Sequence, residues 1–192
     1  MEGSYCFSNE FNQWVMARFF ISETIHKDGT ILDIGCANGF LLRCLKEWSE
    51  YNLNPFGIDK NKRLIKESKR LFPDISGHFI MKNLNDIDRF HKDSFPKKFD
   101  FIYWNMWDNC KIKRNKKSNI VFYWSNHNYD DQIELTAILN NIKKGGRLII
   151  GISDSKNKIL SLANNLKEMN RQVSDVLTNP HGTNEEIIYI ER

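Results

Sequence analysis

Two short stretches near the amino end of this 192-residue chain carry the residues best suited to chemistry. In Asp33-Ile34-Gly35-Cys36-Ala37-Asn38-Gly39-Phe40, an acid lies within an apolar run and two glycines follow. Gly35 and Gly39 permit backbone angles and a closeness of approach that a Cβ would block. A helix starting near Gly39 would turn free N–H groups and the positive end of its dipole toward a ligand. In Gly57-Ile58-Asp59, the carboxylate stands 20 residues beyond Gly39. At the tip of an adjacent strand, such an acid accepts hydrogen bonds from both hydroxyls of an adenosine ribose.

Those two features admit a dinucleotide, a flavin or S-adenosylmethionine. A dinucleotide needs the GxGxxG turn, because its two phosphates sit on the helix terminus. Here the pattern is Gly-x-Ala-x-Gly, Phe40 follows where a glycine is wanted, and Asp33 precedes the turn. A carboxylate at that point repels pyrophosphate and suits a zwitterionic amino-acid moiety. The chemistry favours S-adenosylmethionine.

Around these stretches, apolar strand-like runs alternate with amphipathic helical ones. Strands are expected at Thr30–Ile34, Pro55–Ile58, His78–Met81, Phe99–Trp104 and Arg147–Ile152, the last after a Gly145-Gly146 turn. Helices are expected at Ser8–Lys27, Phe40–Tyr51, Asn61–Phe72, Asp86–His91, Asp130–Ile142 and Lys156–Met169. Runs such as Phe-Asp-Phe-Ile-Tyr are apolar without alternation, as in parallel strands covered on both faces. The order therefore predicts a three-layer α/β domain. Two closing strands, Gln172–Leu177 and Glu186–Ile190, are too close for a crossover helix, so one must run antiparallel.

Composition sets wide bounds. The 41% hydrophobic and 27% charged fractions are those of a globular protein, and +4 is a mild charge. No apolar run approaches the ~18 residues of a membrane span, and the start reads as no signal peptide. Cys6, Cys36, Cys44 and Cys110 form no CxxC pair. Free thiols fit a reducing compartment, so a cytoplasmic protein is expected, monomeric or homodimeric and away from membranes.

With these residues in view, LDIGCANGFLL resembles motif I of the class I S-adenosylmethionine-dependent methyltransferases, and PFGID their acidic motif after strand two. KNLND, FDFIYWN and KKGGRLIIG follow in the family's order, so the resemblance spans Gly29 to Arg192. It implies a Rossmann-like sheet of about seven strands in the order 3-2-1-4-5-7-6, the last antiparallel, with helices on both faces. It implies a single domain, with residues 1–28 as a cap helix and 107–128 as an insertion or lid after strand four. Asp33, Gly35, Cys36, Ala37 and Gly39 would surround the methionyl end of S-adenosylmethionine. Asp59 would hold the ribose, Lys60 would border the adenine, and Asn83 and Leu84 would flank its ring. Asn105 and Met106 would lie near the sulfonium. The plainer account of Asp59 and Asn83 is that each caps the element after it.

Methyl transfer is an in-line displacement that asks the protein to align a nucleophile and exclude water. Candidate catalytic residues are Asn105 and Asp108 after strand four, with His127 and His181 as candidate bases. Each histidine also reads as an ordinary loop residue. Met106-Trp107 stands where enzymes acting on planar amines carry two prolines, which disfavours a nucleobase target. Asp108 and Asp154 lack a clear third ligand, so no metal is expected. The insertion carries Lys111, Lys113, Arg114, Lys116 and Lys117 ahead of Ile-Val-Phe-Tyr-Trp. It reads either as an electropositive lid or, preferably, as a solvated basic loop leading into a packed segment. The expected activity is methylation of a small molecule. The alternatives are an RNA methyltransferase using residues 111–117 and a non-catalytic S-adenosylmethionine binder.

Overall fold

The computed structural model describes residues 8–87, 95–106, 110–114, 119–126, 129–153, 156–180 and 185–192. Helix α1 (Ser8–Arg18) continues into a 3-10 turn, Phe19–Thr24. Then come β1 (Gly29–Ile34), α2 (Phe40–Trp48), β2 (Leu53–Asp59), α3 (Lys62–Leu71), β3 (Phe79–Met81) and β4 (Phe99–Met106). Three further strands follow, β5 (Cys110–Arg114), β6 (Ile120–Asn126) and β7 (Tyr129–Glu134), then α4 (Leu135–Asn140) and β8 (Ile142–Ser153). The chain ends with α5 (Lys156–Glu168), β9 (Leu177–Thr178) and β10 (Glu185–Glu191).

The main sheet has seven strands ordered β3-β2-β1-β4-β8-β10-β9. Counting only its own strands, this is the expected 3-2-1-4-5-7-6. Pairs from β3 to β8 are parallel, and β10 runs antiparallel to both neighbours. Side chains alternate between two cores. One holds Leu32, Ile34, Ile102, Trp104 and Met106 against α4 and α5. The other holds Ile31, Phe101 and Tyr103 with the buried face of α2 and the 3-10 turn.

Local chemistry explains the element ends. The Asn61 side chain caps α3 by accepting from the backbone N–H of Arg63 (3.0 Å) and Leu64 (3.4 Å), and Pro73 follows its end. At the amino end of β4, Asp100 accepts from the Thr30 N–H (2.9 Å) and hydroxyl (3.0 Å) and from Lys143 (2.7 Å). That places β1, β4 and β8 in register.

Three expectations are corrected. Residues 129–134 form a strand, not the start of a helix, because Gln132 and Glu134 are exposed while Ile133 is buried, a period of two. With β5 and β6 they make a second, three-stranded antiparallel sheet that runs on past residue 128. Gly145-Gly146 lies inside β8 rather than before it: Ile142 pairs with Phe99 and Arg147 with Phe101, so the intervening residues bulge, with Gly145 at φ 70°. The first closing strand shrinks to β9 and one bridge from Val173 to Ile190, because the Ser174 hydroxyl accepts the Tyr189 N–H (3.0 Å) in place of a backbone carbonyl.

Candidate functional site

The chain leaves β1 for β2 and β3 on one side and returns to β4 on the other. The carboxyl ends of β1 and β4 therefore border the crevice where strand order reverses, which is where open α/β sheets bind ligands. Asp33 is buried there, in register with Gly57 of β2 and Tyr103 of β4.

The loop after β1 is built largely from backbone bonds. The N–H groups of Gly35 and Cys36 both donate to the Ile58 carbonyl (2.9 Å each), and that of Gly39 donates to the Cys36 carbonyl (2.8 Å). Gly35, Ala37 and Gly39 all have positive φ (81°, 49° and 78°). A Cβ on Gly35 would meet nothing within 4 Å, so the backbone there faces open space. At Gly39 a Cβ would crowd the Ser68 Cβ at 3.0 Å, so close helix packing requires the glycine as much as its φ does. The Cys36 side chain points into the core and occupies room left by Gly57, where a Cβ would stand 2.6 Å from its sulfur.

Asp59 closes the loop from the β2 side. Its Oδ2 accepts the Ala37 N–H (3.0 Å) and its Oδ1 accepts the Asn61 N–H (2.7 Å). The cap of α3 is Asn61 rather than Asp59, which instead steadies the turn into the helix, and each Asp59 oxygen keeps a second lone pair. Burial raises the Asp33 carboxyl to about 7, with repulsion from Asp59 adding and Arg18 opposing. A buried acid beside a second acid favours a cation next to it.

The other expected residues are arranged less compactly. Lys60 and Asn83 are exposed, and Leu84 is buried. The Asn83 carbonyl and side chain accept from Asp86 (3.0 Å) and Asn85 (3.4 Å), so Asn83 caps the short turn over 84–87. Asn105 is half-buried on the Asp33 side of the sheet, whereas the Met106 side chain lies in the opposite core near the Cys110 sulfur (4.0 Å). Asp108, His127 and His181, like Tyr5, Asp154, Lys116 and Lys117, lie outside the described residues. Among the described residues no three His, Cys, Asp or Glu side chains converge as a metal ion requires, and no helix is long and apolar enough to cross a membrane.

Three residues beyond those expected join Asn105. The Tyr103 hydroxyl donates to Glu185 Oε1 (3.1 Å), Asn105 Nδ2 donates to the same oxygen (3.3 Å), and Arg18 pairs with Oε2 (3.1 Å). Burial pushes the Glu185 carboxyl up, and Arg18 and Tyr103 pull against it. The one signal in the sequence was Glu185-Glu186 opening an otherwise apolar strand. Arg18 reaches the cluster because α1 lies across the start of α2: Phe11 and Trp14 pack at a tilt against Phe40 with ring centres 5.8 and 5.2 Å away. Asn179 adds a tie by donating to the Met16 carbonyl (3.1 Å).

Comparisons with known proteins agree with this architecture. A family model described as a methyltransferase domain matches residues 25–190. No curated protein matches in sequence. Among solved structures, fibrillarin from Aeropyrum pernix, in complex with natively bound S-adenosyl-L-methionine, superposes with a TM-score of 0.59 at 13% identity, over 93% of this chain and 74% of that one. Precorrin-6y C5,15-methyltransferase from Geobacter metallireducens gives 0.54 at 11% identity, over 100% and 93%. An rRNA methylase from Streptococcus thermophilus gives 0.52 at 15% identity, over 92% and 94%. At these identities the likeness is one of fold, and the family match carries the assignment: the chain belongs to the methyltransferase domain family, the S-adenosylmethionine-dependent enzymes of class I whose sheet it carries.

Proposed function

We propose that this protein transfers the methyl group of S-adenosylmethionine to a small-molecule acceptor bound in the crevice between β1 and β4. The observation that carries the reading is the buried Asp33 carboxylate beside the open backbone of Gly35, under a helix that closes one side. These residues fit the cofactor: Asp33 offers negative charge to its ammonium and sulfonium, and Asp59 keeps acceptor capacity for ribose hydroxyls. When bound, the cofactor supplies an electrophilic methyl carbon. Gly35, Ala37 and Gly39 shape the floor, while Cys36 supports it from below. Lys60, Asn83 and Leu84 border the adenine end, and Asn105 lies toward the acceptor. Asp108, His127 and His181 remain candidates for the acceptor side, with residues 1–28 as a cap and 107–128 as an insertion in one domain. The thiols of Cys36, Cys44 and Cys110 are free, which fits a reducing, cytoplasmic setting, and the protein is read as a monomer or homodimer there.

The family's range supports no acceptor by itself, since the similar structures include proteins described as precorrin, rRNA and ribosomal-protein methylases. An RNA acceptor is the second reading, favoured by exposed Lys111 and Lys113, the latter over the Tyr123 ring (5.4 Å). Incubation with methyl-labelled S-adenosylmethionine and either a metabolite library or total RNA separates the two. Label entering a small molecule is the expected result. Label entering RNA alone overturns the small-molecule reading, and no retention of cofactor overturns the site.

A further inference from the structure

Glu185 is 4% exposed and opens β10, the strand that runs against the others, so its side chain meets the carboxyl ends of β4 and β8. Its Oε1 takes the Tyr103 hydroxyl (3.1 Å) and Asn105 Nδ2 (3.3 Å), and its Oε2 takes Arg18 (3.1 Å). An ionised carboxylate only accepts. The carboxamide of Asn105 must therefore turn its nitrogen to Glu185 and its oxygen away. Among the described residues, the Asn105 side chain has no hydrogen bond beyond this one. Gly151, opposite Asn105 in β8, leaves the space: a Cβ there would come within 3.1 Å of the Tyr103 hydroxyl and 3.4 Å of Glu185 Oε1.

We propose that Glu185 is a positioning residue of the methyl-transfer site: it fixes the Asn105 carboxamide with Oδ1 facing the acceptor, and Arg18 couples that orientation to the seating of α1. A free carboxamide presents a donor or an acceptor with equal ease. A fixed one selects a methyl acceptor that brings an N–H or O–H donor, because a partner without one leaves Oδ1 unpaired. The inference deepens the reading of the crevice as the S-adenosylmethionine site and rests on it.

The test uses two cofactor analogues and the full chain. Sinefungin carries an ammonium group where the sulfonium methyl would stand, and S-adenosylhomocysteine carries a bare sulfur. The ratio of their calorimetric affinities reports the donor at that point and cancels losses common to both. Asn105→Leu and Glu185→Gln are each expected to lower the ratio about tenfold relative to wild type. Arg18→Met, which leaves the carboxylate in place, is expected to lower it as well and serves if Glu185→Gln does not fold. A ratio that falls in Asn105→Leu but holds in Glu185→Gln and Arg18→Met overturns the positioning role. A ratio that holds in all three overturns the assignment of Oδ1. The Asn105 side-chain amide signals, identified in nitrogen-15 spectra by their absence from Asn105→Leu, are expected to exchange slowly with water in wild type and quickly in Glu185→Gln. Equal exchange in the two proteins also overturns the proposal. A wild type that binds neither nucleoside instead overturns the cofactor reading, and the exchange measurement still judges the placement of Asn105.

Discussion

At Asp33 the proposed site asks a single carboxylate to be stable when the crevice is empty and charged when it is filled. Burial holds its folded-state pKa at about 7, above the ~3.9 of an unfolded aspartate. Between those values the native state keeps a proton that the unfolded chain has lost, so the ligand-free protein loses stability as pH rises through that interval. Asp33→Asn removes the cost. Denaturant unfolding is expected to find the variant ~1–3 kcal/mol more stable than wild type near pH ~8 and equal to it near pH ~4. A gain of the same size at both pH values would place the effect outside ionisation. Cofactor binding at the proposed site has the opposite demand, since an ionised Asp33 would attract the cation. Affinity for S-adenosylmethionine is therefore expected to rise with pH and level off above about 7, and to lose that dependence in Asp33→Asn. In the proposed site Asp59 would serve loop and ligand together, because it also anchors the Ala37 N–H. Asp59→Ala is expected to abolish cofactor binding measured by calorimetry, and retained affinity would remove Asp59 from the site.

Elements hold these acids where they are through a few close approaches. Gly57 admits the Cys36 sulfur beneath the loop, and Gly57→Ala would force a Cβ to 2.6 Å from it. The expected loss is ~1–3 kcal/mol of unfolding free energy, with weaker cofactor binding because the loop lifts. At the opposite end of the sheet, burial alone would raise Asp100, but bonds from Lys143 and Thr30 hold it below the ordinary carboxylate range. A depressed value means stability present above the unfolded pKa and lost as pH falls through the folded one. Asp100→Asn is expected to cost ~1–3 kcal/mol at neutral pH in denaturant melts, the deficit closing as pH drops below ~4. The strands and helices that carry Asp33, Gly39 and Asp59 were legible because local spacing and glycines specify them. Tyr129–Glu134 was not, since its partner β6 is what turns a short polar stretch into a strand. Arg18, Tyr103 and Glu185 were hidden for a related reason: they meet only after 82 residues of chain separate Tyr103 from Glu185.

For the molecule as a whole, the alternation of side chains decides which additions can reach the site. Asp33, Tyr103 and Asn105 face the side of the sheet covered by α1 and α2, while Trp104 faces the other and meets Phe122 of β6 edge-on at 4.8 Å. The small sheet therefore packs on the core opposite the polar cluster. Its basic strand is spent in part on structure, with Arg114 paired to Glu168 of α5 (3.3 Å) and Lys111 and Lys113 exposed. Exposed lysines on one strand do not by themselves make a nucleic-acid surface, and their effect should be separable from the crevice. The variant with Lys111→Ser and Lys113→Ser is expected to unfold within ~0.5 kcal/mol of wild type and to keep its affinity for S-adenosylhomocysteine. Under the small-molecule reading, its labelling of the acceptor is also unchanged and its binding to RNA is no more salt-sensitive than that of wild type. Under the RNA reading, wild-type binding to RNA falls steeply with salt and the double variant loses both the binding and the slope. Measuring RNA binding across a salt series for the two proteins, beside the calorimetry, therefore reports on the second sheet alone, because the residues changed touch neither Asp33 nor Asp59.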